Sequence, residues 1–152
     1  ELVFTSLYRK AMPLLRYRTR DVIQVADRAC PCGRTLFSIE GGVLGRLDDM
    51  KKIRGVIVYP MRIEEIVRTF PEMDEFMVYL RRKEGLDEIT VEIDPSPEVS
   101  KDAHPGLKKK MESELRLGLG IRASVEIVES GALPRWDHKA RRVKDEREEV
   151  PF

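Results

Sequence analysis

The order of periodicities along this sequence predicts an α+β fold, and three observations carry it. Apolar residues recur at helical spacing in two stretches, around residues 63–70 and 107–115. Around them, short runs alternate apolar and polar residues, as half-buried strands do. Before residue 47 the pattern is different: short β-rich runs separated by polar and proline-containing turns. The expectation is a compact domain over residues 47–152, preceded over 1–46 by strands of a larger domain.

Leu2 to Thr5, Leu14 to Thr19 and Val22 to Val25 read as strands too short to bury a core of their own. The rest of their domain is therefore expected upstream of Glu1, and the chain to be a fragment. Lys52 to Tyr59, KIRGVIVY, is strand-like, with Gly55 as a bulge or a point of close backbone approach. Pro60 opens a segment in which Ile63, Ile66, Val67 and Phe70 fall at i, i+3, i+4 and i+7, the stripe of an amphipathic helix that Pro71 ends. Phe76 to Leu80 and the alternating Ile89, Val91 and Ile93 form two strands of a hairpin with Gly85 in its turn. Leu107, Met111 and Leu115 mark a second helix that stops at Gly118 or Gly120. Val125 and Ile127 alternate in a last strand. Strand, helix, strand, strand, helix, strand is the ferredoxin-like βαββαβ order, with both helices on one face of a mostly antiparallel sheet.

At 152 residues and 41% hydrophobic the chain supports a real core. Lys and Arg number 28 against 27 Asp and Glu, so the formal net charge is only +1. No field covers the whole surface to attract nucleic acid or an anionic membrane, and any anion binding must be local. No run approaches the ~18 apolar residues of a membrane span. The expectation is a soluble cytoplasmic protein. Two cysteines, in Cys30-Pro31-Cys32-Gly33, argue against a disulfide framework; they are reduced thiols in a turn or half of a metal site.

Three further stretches carry charge. In YRTRD, Asp21 ends a strand among Arg16, Arg18 and Arg20. A carboxylate there accepts hydrogen bonds from a vicinal diol, as in nucleotide sites, or simply pairs with a surface arginine. In GRLDD, Arg46 precedes two aspartates, and adjacent residues of an extended segment point opposite ways, so the pair suits a charged linker better than a shared proton or ion. ALPRWDHKARRV, Ala132 to Val143, reads by composition alone as a solvated basic loop.

Together, YRTRD, GRLDDMKKIRG, YPMRIEE and LPRWDHKARRV, in this order and at these separations, resemble the adenylate-forming superfamily of acyl-CoA synthetases, peptide-synthetase adenylation domains and luciferases. Within it, ELVFTSL, AMPLLRYRTRD, CPCGRT and DDMKKIRGVIVYP look most like the phenylacetate-CoA ligase family. The resemblance covers nearly the whole chain. It implies the C-terminal portion of an enzyme that joins an aryl acid such as phenylacetate to CoA through an acyl-adenylate, with ATP and Mg2+. Residues 47–152 would then be the lid domain that rotates between the two steps.

Residue by residue, the resemblance implies that Asp21 binds the ribose hydroxyls, that Arg46 reaches the nucleotide, and that Asp48 is the hinge. Gly55 lets the pantetheine arm of CoA pass close to backbone. Lys139 contacts the carboxylate and α-phosphate oxygens during adenylation. His138 stands where the family usually has a small residue before that lysine, and Trp136 and Asp137 replace smaller ones. Cys30 and Cys32 correspond to half of a structural zinc site whose other ligands would come from upstream, because His104 and His138 are not near them in the inferred organisation. Arg135, Arg141 and Arg142 keep the solvated reading. The implied partners are the acid, ATP and CoA, without nucleic acid or membrane, and compatibly with a homodimer. The alternative is a ferredoxin-like ligand- or RNA-binding module. RNA binding wants aromatics on the central strands, and these strands alternate aliphatic residues.

Overall fold

A computed structural model of the chain describes residues 1–28, 30–136 and 141–147. They form two compact units. The first comprises Glu1–Lys51 with Tyr59–Met61, the second Lys52–Val58 with the chain from Arg62 onward.

The first unit holds two ribbons. β1 (Val3–Phe4) pairs antiparallel with β2 (Tyr17–Arg18), and the Phe4 and Tyr17 rings meet edge to face with centroids 5.6 Å apart. β3 (Asp21–Val25) pairs antiparallel with β4 (Ile39–Arg46), with irregularities either side of Ile23. The strand expected over 14–19 shrinks to two residues because Arg16 and Arg20 take positive φ, 49° and 65°, which stops a strand at each side. Neither ribbon contributes to the hydrophobic core cluster, in keeping with strands too short to bury one.

The second unit is built on a sheet of order β10-β7-β8-β9. β7 (Met73–Lys83) and β8 (Leu86–Pro95) are an antiparallel hairpin closed by Glu84 and Gly85, both at positive φ, as the tight two-residue turn requires. β9 (Ala123–Ile127) lies parallel to β8, and β10 (Val143–Asp145) parallel to β7. α1 (Pro60–Val67) and α2 (His104–Leu119) supply Ile63, Ile66 and Val67, and Leu107, Met111 and Leu115, to one core with Phe76, Val78, Leu80, Ile89, Val91, Ile93 and Val125 of the sheet. Both helices thus serve one core, but the sheet is not mostly antiparallel as expected: only β7–β8 is antiparallel, while β8–β9 and β7–β10 are parallel. α2 ends at Gly120, whose left-handed φ of 70° lets its N–H donate to Arg116 O. Gly118 lies inside the helix rather than ending it, and a Cβ there would run into Ile66 Cδ1.

The sheet differs from the expected βαββαβ topology. Residues 52–59 are not one strand of the main sheet but part of a separate two-stranded hairpin, β5 (Lys51–Ile53) and β6 (Val56–Val58). Arg54 and Gly55 both have positive φ, 48° and 83°, and that pair reverses the chain where a bulge was expected. Ile53 and Val58 still reach the core. The fourth place in the sheet goes to β10, which follows the basic loop. Arg147 secures that edge, donating to Asp145 Oδ1 and Asp87 Oδ2 at 2.8 and 3.0 Å and to Lys52 O at 2.8 Å. Among the described residues no helix is long and apolar enough to cross a membrane.

Candidate functional site

Three of the residues singled out from sequence converge in the first unit. Asp21 opens β3 and Arg46 closes β4, and the two are direct register partners across that ribbon. Arg46 Nη1 stands 3.6 Å from Asp21 Oδ1. The same guanidinium makes a two-pronged bond to Asp48, Nε to Oδ1 and Nη2 to Oδ2, each 3.0 Å. Asp49 approaches Arg46 Nε at 3.8 Å, and Arg20 Nη1 lies 3.6 Å from Asp48 Oδ2.

Planar guanidinium matched to planar carboxylate is the strongest geometry for such a pair. It lowers the Asp48 carboxyl below its ordinary value and raises the Arg46 guanidinium. All these side chains remain solvent-accessible, so Asp21 retains oxygens for a hydroxyl pair and Arg46 retains N–H donors for an anion. Leu47 N–H donates to Arg20 O at 2.8 Å and Asp49 N–H to Arg46 O, which fixes the turn that presents Asp48. Glu1, Arg18, Arg20, Leu47 and Asp48 line a shallow concavity beside it. The Arg46–Asp48 pairing, two residues apart, is the part that motif reading missed.

In the second unit, Gly55 sits at the tip of the β5–β6 hairpin. A Cβ there would meet nothing within 4 Å, so its backbone is approachable from solvent. Arg54 beside it donates Nε to Asp87 O at 2.6 Å, which ties the hairpin to β8. Lys139 and His138 lie outside the described residues. On either side of them, Arg135 pairs with Asp74 yet stays exposed, Arg141 is exposed as the solvated reading expects, and Arg142 departs from that reading: it is largely covered and makes a two-pronged bond to Glu75.

Cys30 and Cys32 are free thiols. Their sulfurs stand 2.7 Å apart, and the neighbouring Cys32 holds the Cys30 thiol below its ordinary value. Two thiolates on one tetrahedral zinc, with bonds near 2.3 Å, would sit roughly 3.8 Å apart. Among the described residues no group of three or more His, Cys, Asp or Glu is placed to hold a metal ion. As arranged here, the two thiols do not fit a zinc site.

The AMP-binding enzyme C-terminal domain model matches residues 55–147. The phenylacetate-coenzyme A ligase of Aromatoleum evansii is 33% identical over 97% of this chain and 34% of its own length. That of Thermus thermophilus is 35% identical over 95% of this chain and 36% of its own. The crystal structure of a 2-hydroxyisobutyryl-CoA ligase in the postadenylation state, in complex with 2-HIB-AMP, superposes with a TM-score of 0.81 at 32% identity, over 94% of this chain and 31% of that one. The chain spans about a third of the length of the curated relatives it matches. With the family model covering most of the second unit, the chain belongs to the AMP-binding enzyme C-terminal domain family.

Proposed function

We propose that this chain is the C-terminal share of an ATP-dependent acid–CoA ligase acting on an aryl acid such as phenylacetate. In the first step the acid's carboxylate oxygen attacks the α-phosphorus of ATP, forming the acyl-adenylate and releasing pyrophosphate. In the second, the CoA thiol loses its proton and its sulfur attacks the acyl carbon, giving the thioester and AMP. The observation that carries the reading is the convergence of Asp21, Arg46 and Asp48 at one end of the β3–β4 ribbon, together with the phenylacetate-CoA ligases' likeness over nearly all of the chain.

Each residue has a role within reach of its chemistry. Asp21 accepts hydrogen bonds from the ribose hydroxyls, and Arg46 donates to the nucleotide. Asp48 serves as the pivot between the two steps. Gly55 offers a side-chain-free turn for the pantetheine arm. Lys139 places a positive charge where negative charge shifts during in-line displacement at phosphorus. ATP, supplied with Mg2+, and CoA are co-substrates. Zinc is not part of this proposal, since the thiol pair does not fit it.

The test is acid-dependent pyrophosphate release by the full-length protein with and without Lys139→Ala. Adenylation should fall roughly 100- to 1,000-fold, the range for removing one preorganised charge-stabilising donor. Thioester formation from a supplied acyl-adenylate should continue. Equal loss in both half-reactions, or none in the first, overturns the role of Lys139.

A further inference from the structure

Two buried carboxylates face each other across the β7–β8 hairpin. Glu75 and Asp94 are direct register partners in that ladder, and they are 7% and 0% exposed. Like charges placed opposite one another in a sheet oppose folding. Burying each away from water adds a desolvation cost that only well-placed partners offset.

The partners come from the two flanks of a single loop. Asp94 Oδ1 accepts from Gly131 N–H at 2.9 Å. Its Oδ2 is buried without a hydrogen bond and lies 3.8 Å from Arg135 Nη2, whose guanidinium also pairs with Asp74 at the irregularity of β7 between Met73 and Glu75. On the far flank, Glu75 accepts from Arg142 Nε at 2.7 Å and Nη2 at 2.9 Å, and from the N–H of Phe76 at 2.9 Å. The Arg142 guanidinium lies over the Phe76 ring, 5.5 Å from its centroid, and 3.7 Å from Glu64. Its carbonyl accepts from Val78 N–H at 2.7 Å, at the start of the β10–β7 pairing. Leu133, within the first flank between Gly131 and Arg135, is buried outside the helix-side core.

We propose that Glu75 and Asp94 act as a charge clamp on two stretches of chain, residues 129–136 and residues 141–142. The clamp holds both flanks of the segment carrying Lys139, which makes the two carboxylates positioning residues for the adenylation step. The positioning role rests on the role given to Lys139 above. Apolar residues of similar size at 75 and 94 would serve folding as well or better. Two opposed acids have a different effect: only a loop placement that brings Gly131, Arg135 and Arg142 to them neutralises both. Lys139 stands between Arg135 and Arg142 in sequence, so slack at either flank passes to it.

The experiment uses the full-length protein with Glu75→Gln, Asp94→Asn and Arg142→Lys, and Lys139→Ala as reference. Native-state trypsin cleavage after Lys139, Arg141 or Arg142 is followed by mass spectrometry, with cleavage after Arg116 in α2 as the marker of global opening. In Glu75→Gln and Asp94→Asn, loop cleavage should rise roughly tenfold or more relative to cleavage at Arg116, as local opening does when its restraint is removed. Arg142→Lys, which keeps the charge and one hydrogen bond, should fall between. Adenylation should drop about 10- to 100-fold, the cost of a displacement near 1 Å, while thioester formation from supplied acyl-adenylate stays within about twofold. Loop cleavage unchanged, or rising only in step with Arg116, overturns the clamp whatever the enzymology. Faster loop cleavage with normal adenylation in the clamp variants, where Lys139→Ala is impaired, overturns the positioning role alone. Normal adenylation in Lys139→Ala instead overturns the reading of the lysine and leaves the clamp standing on its cleavage result.

Discussion

Glu75 holds its proton less well in the folded protein than in an open chain, because Arg142 donates two hydrogen bonds to its carboxylate. A carboxyl depressed in this way contributes stability that is fully present above the unfolded value of about 4.3 and is lost as pH falls through the folded value. Glu75→Gln should therefore be less stable than the parent at pH 7, and should lose less between pH 5 and pH 3. Urea unfolding at these pH values checks it, and parallel acid losses for the two proteins would exclude Glu75 as a contributor. The motifs singled out Asp21, Arg46 and Asp48, and the fold brings the three side chains together. Glu75 and Asp94 were not legible. Their meaning lies in a cross-strand register, and a one-residue slip in either strand would have put them on opposite faces.

At the scale of elements, the β5–β6 hairpin separates two demands on Gly55. Its φ of +83° lies in the left-handed region, while the space around a Cβ there is open. Asparagine tolerates that φ far better than alanine, so Gly55→Asn should keep stability within about 1 kcal/mol of the parent, whereas Gly55→Ala should lose about 1–2 kcal/mol. If the turn also gives passage to the pantetheine arm, both variants should slow thioester formation, and Gly55→Asn should do so without a stability defect. Thermal melts beside the isolated thioester half-reaction measure this, and a Gly55→Asn protein with normal thioester formation removes the passage role.

The two helices and the β7–β8 hairpin were readable because each is long enough for its period to repeat, and Gly85 marks the turn. β4 escaped because Gly41, Gly42 and Gly45 interrupt its alternation. The edge strand β10 escaped because three residues carry no period. A positive φ at Arg54 gives no signal in sequence, so one expected strand became two.

Across the whole molecule, apolar burial is unevenly shared, and so should be stability. Every residue of the core cluster lies in the second unit. In the first, Tyr8 and Leu15 are 91% and 80% exposed, with Leu7, Leu36 and Phe37 also open to solvent. Its two ribbons are closed by backbone hydrogen bonds and by ion pairs such as Arg46–Asp21, and exposed pairs of this kind contribute little. A two-stranded ribbon without a covered face is marginal in water. Stability then divides into a cooperative unit around β7, β8, β9 and the two helices, and a set of ribbons that open separately. In this 152-residue chain, the amides of β7, β8 and α2 should exchange with deuterium at least ~100-fold more slowly than those of β1 to β4. Adding urea below the main transition should leave the exchange of the ribbons nearly unchanged, because their opening exposes little new surface. Peptide-resolved hydrogen exchange reads both quantities. Uniform protection across the two units would mean that the ribbons share the cooperative unit, and that the exposed apolar residues of the first unit are covered in solution.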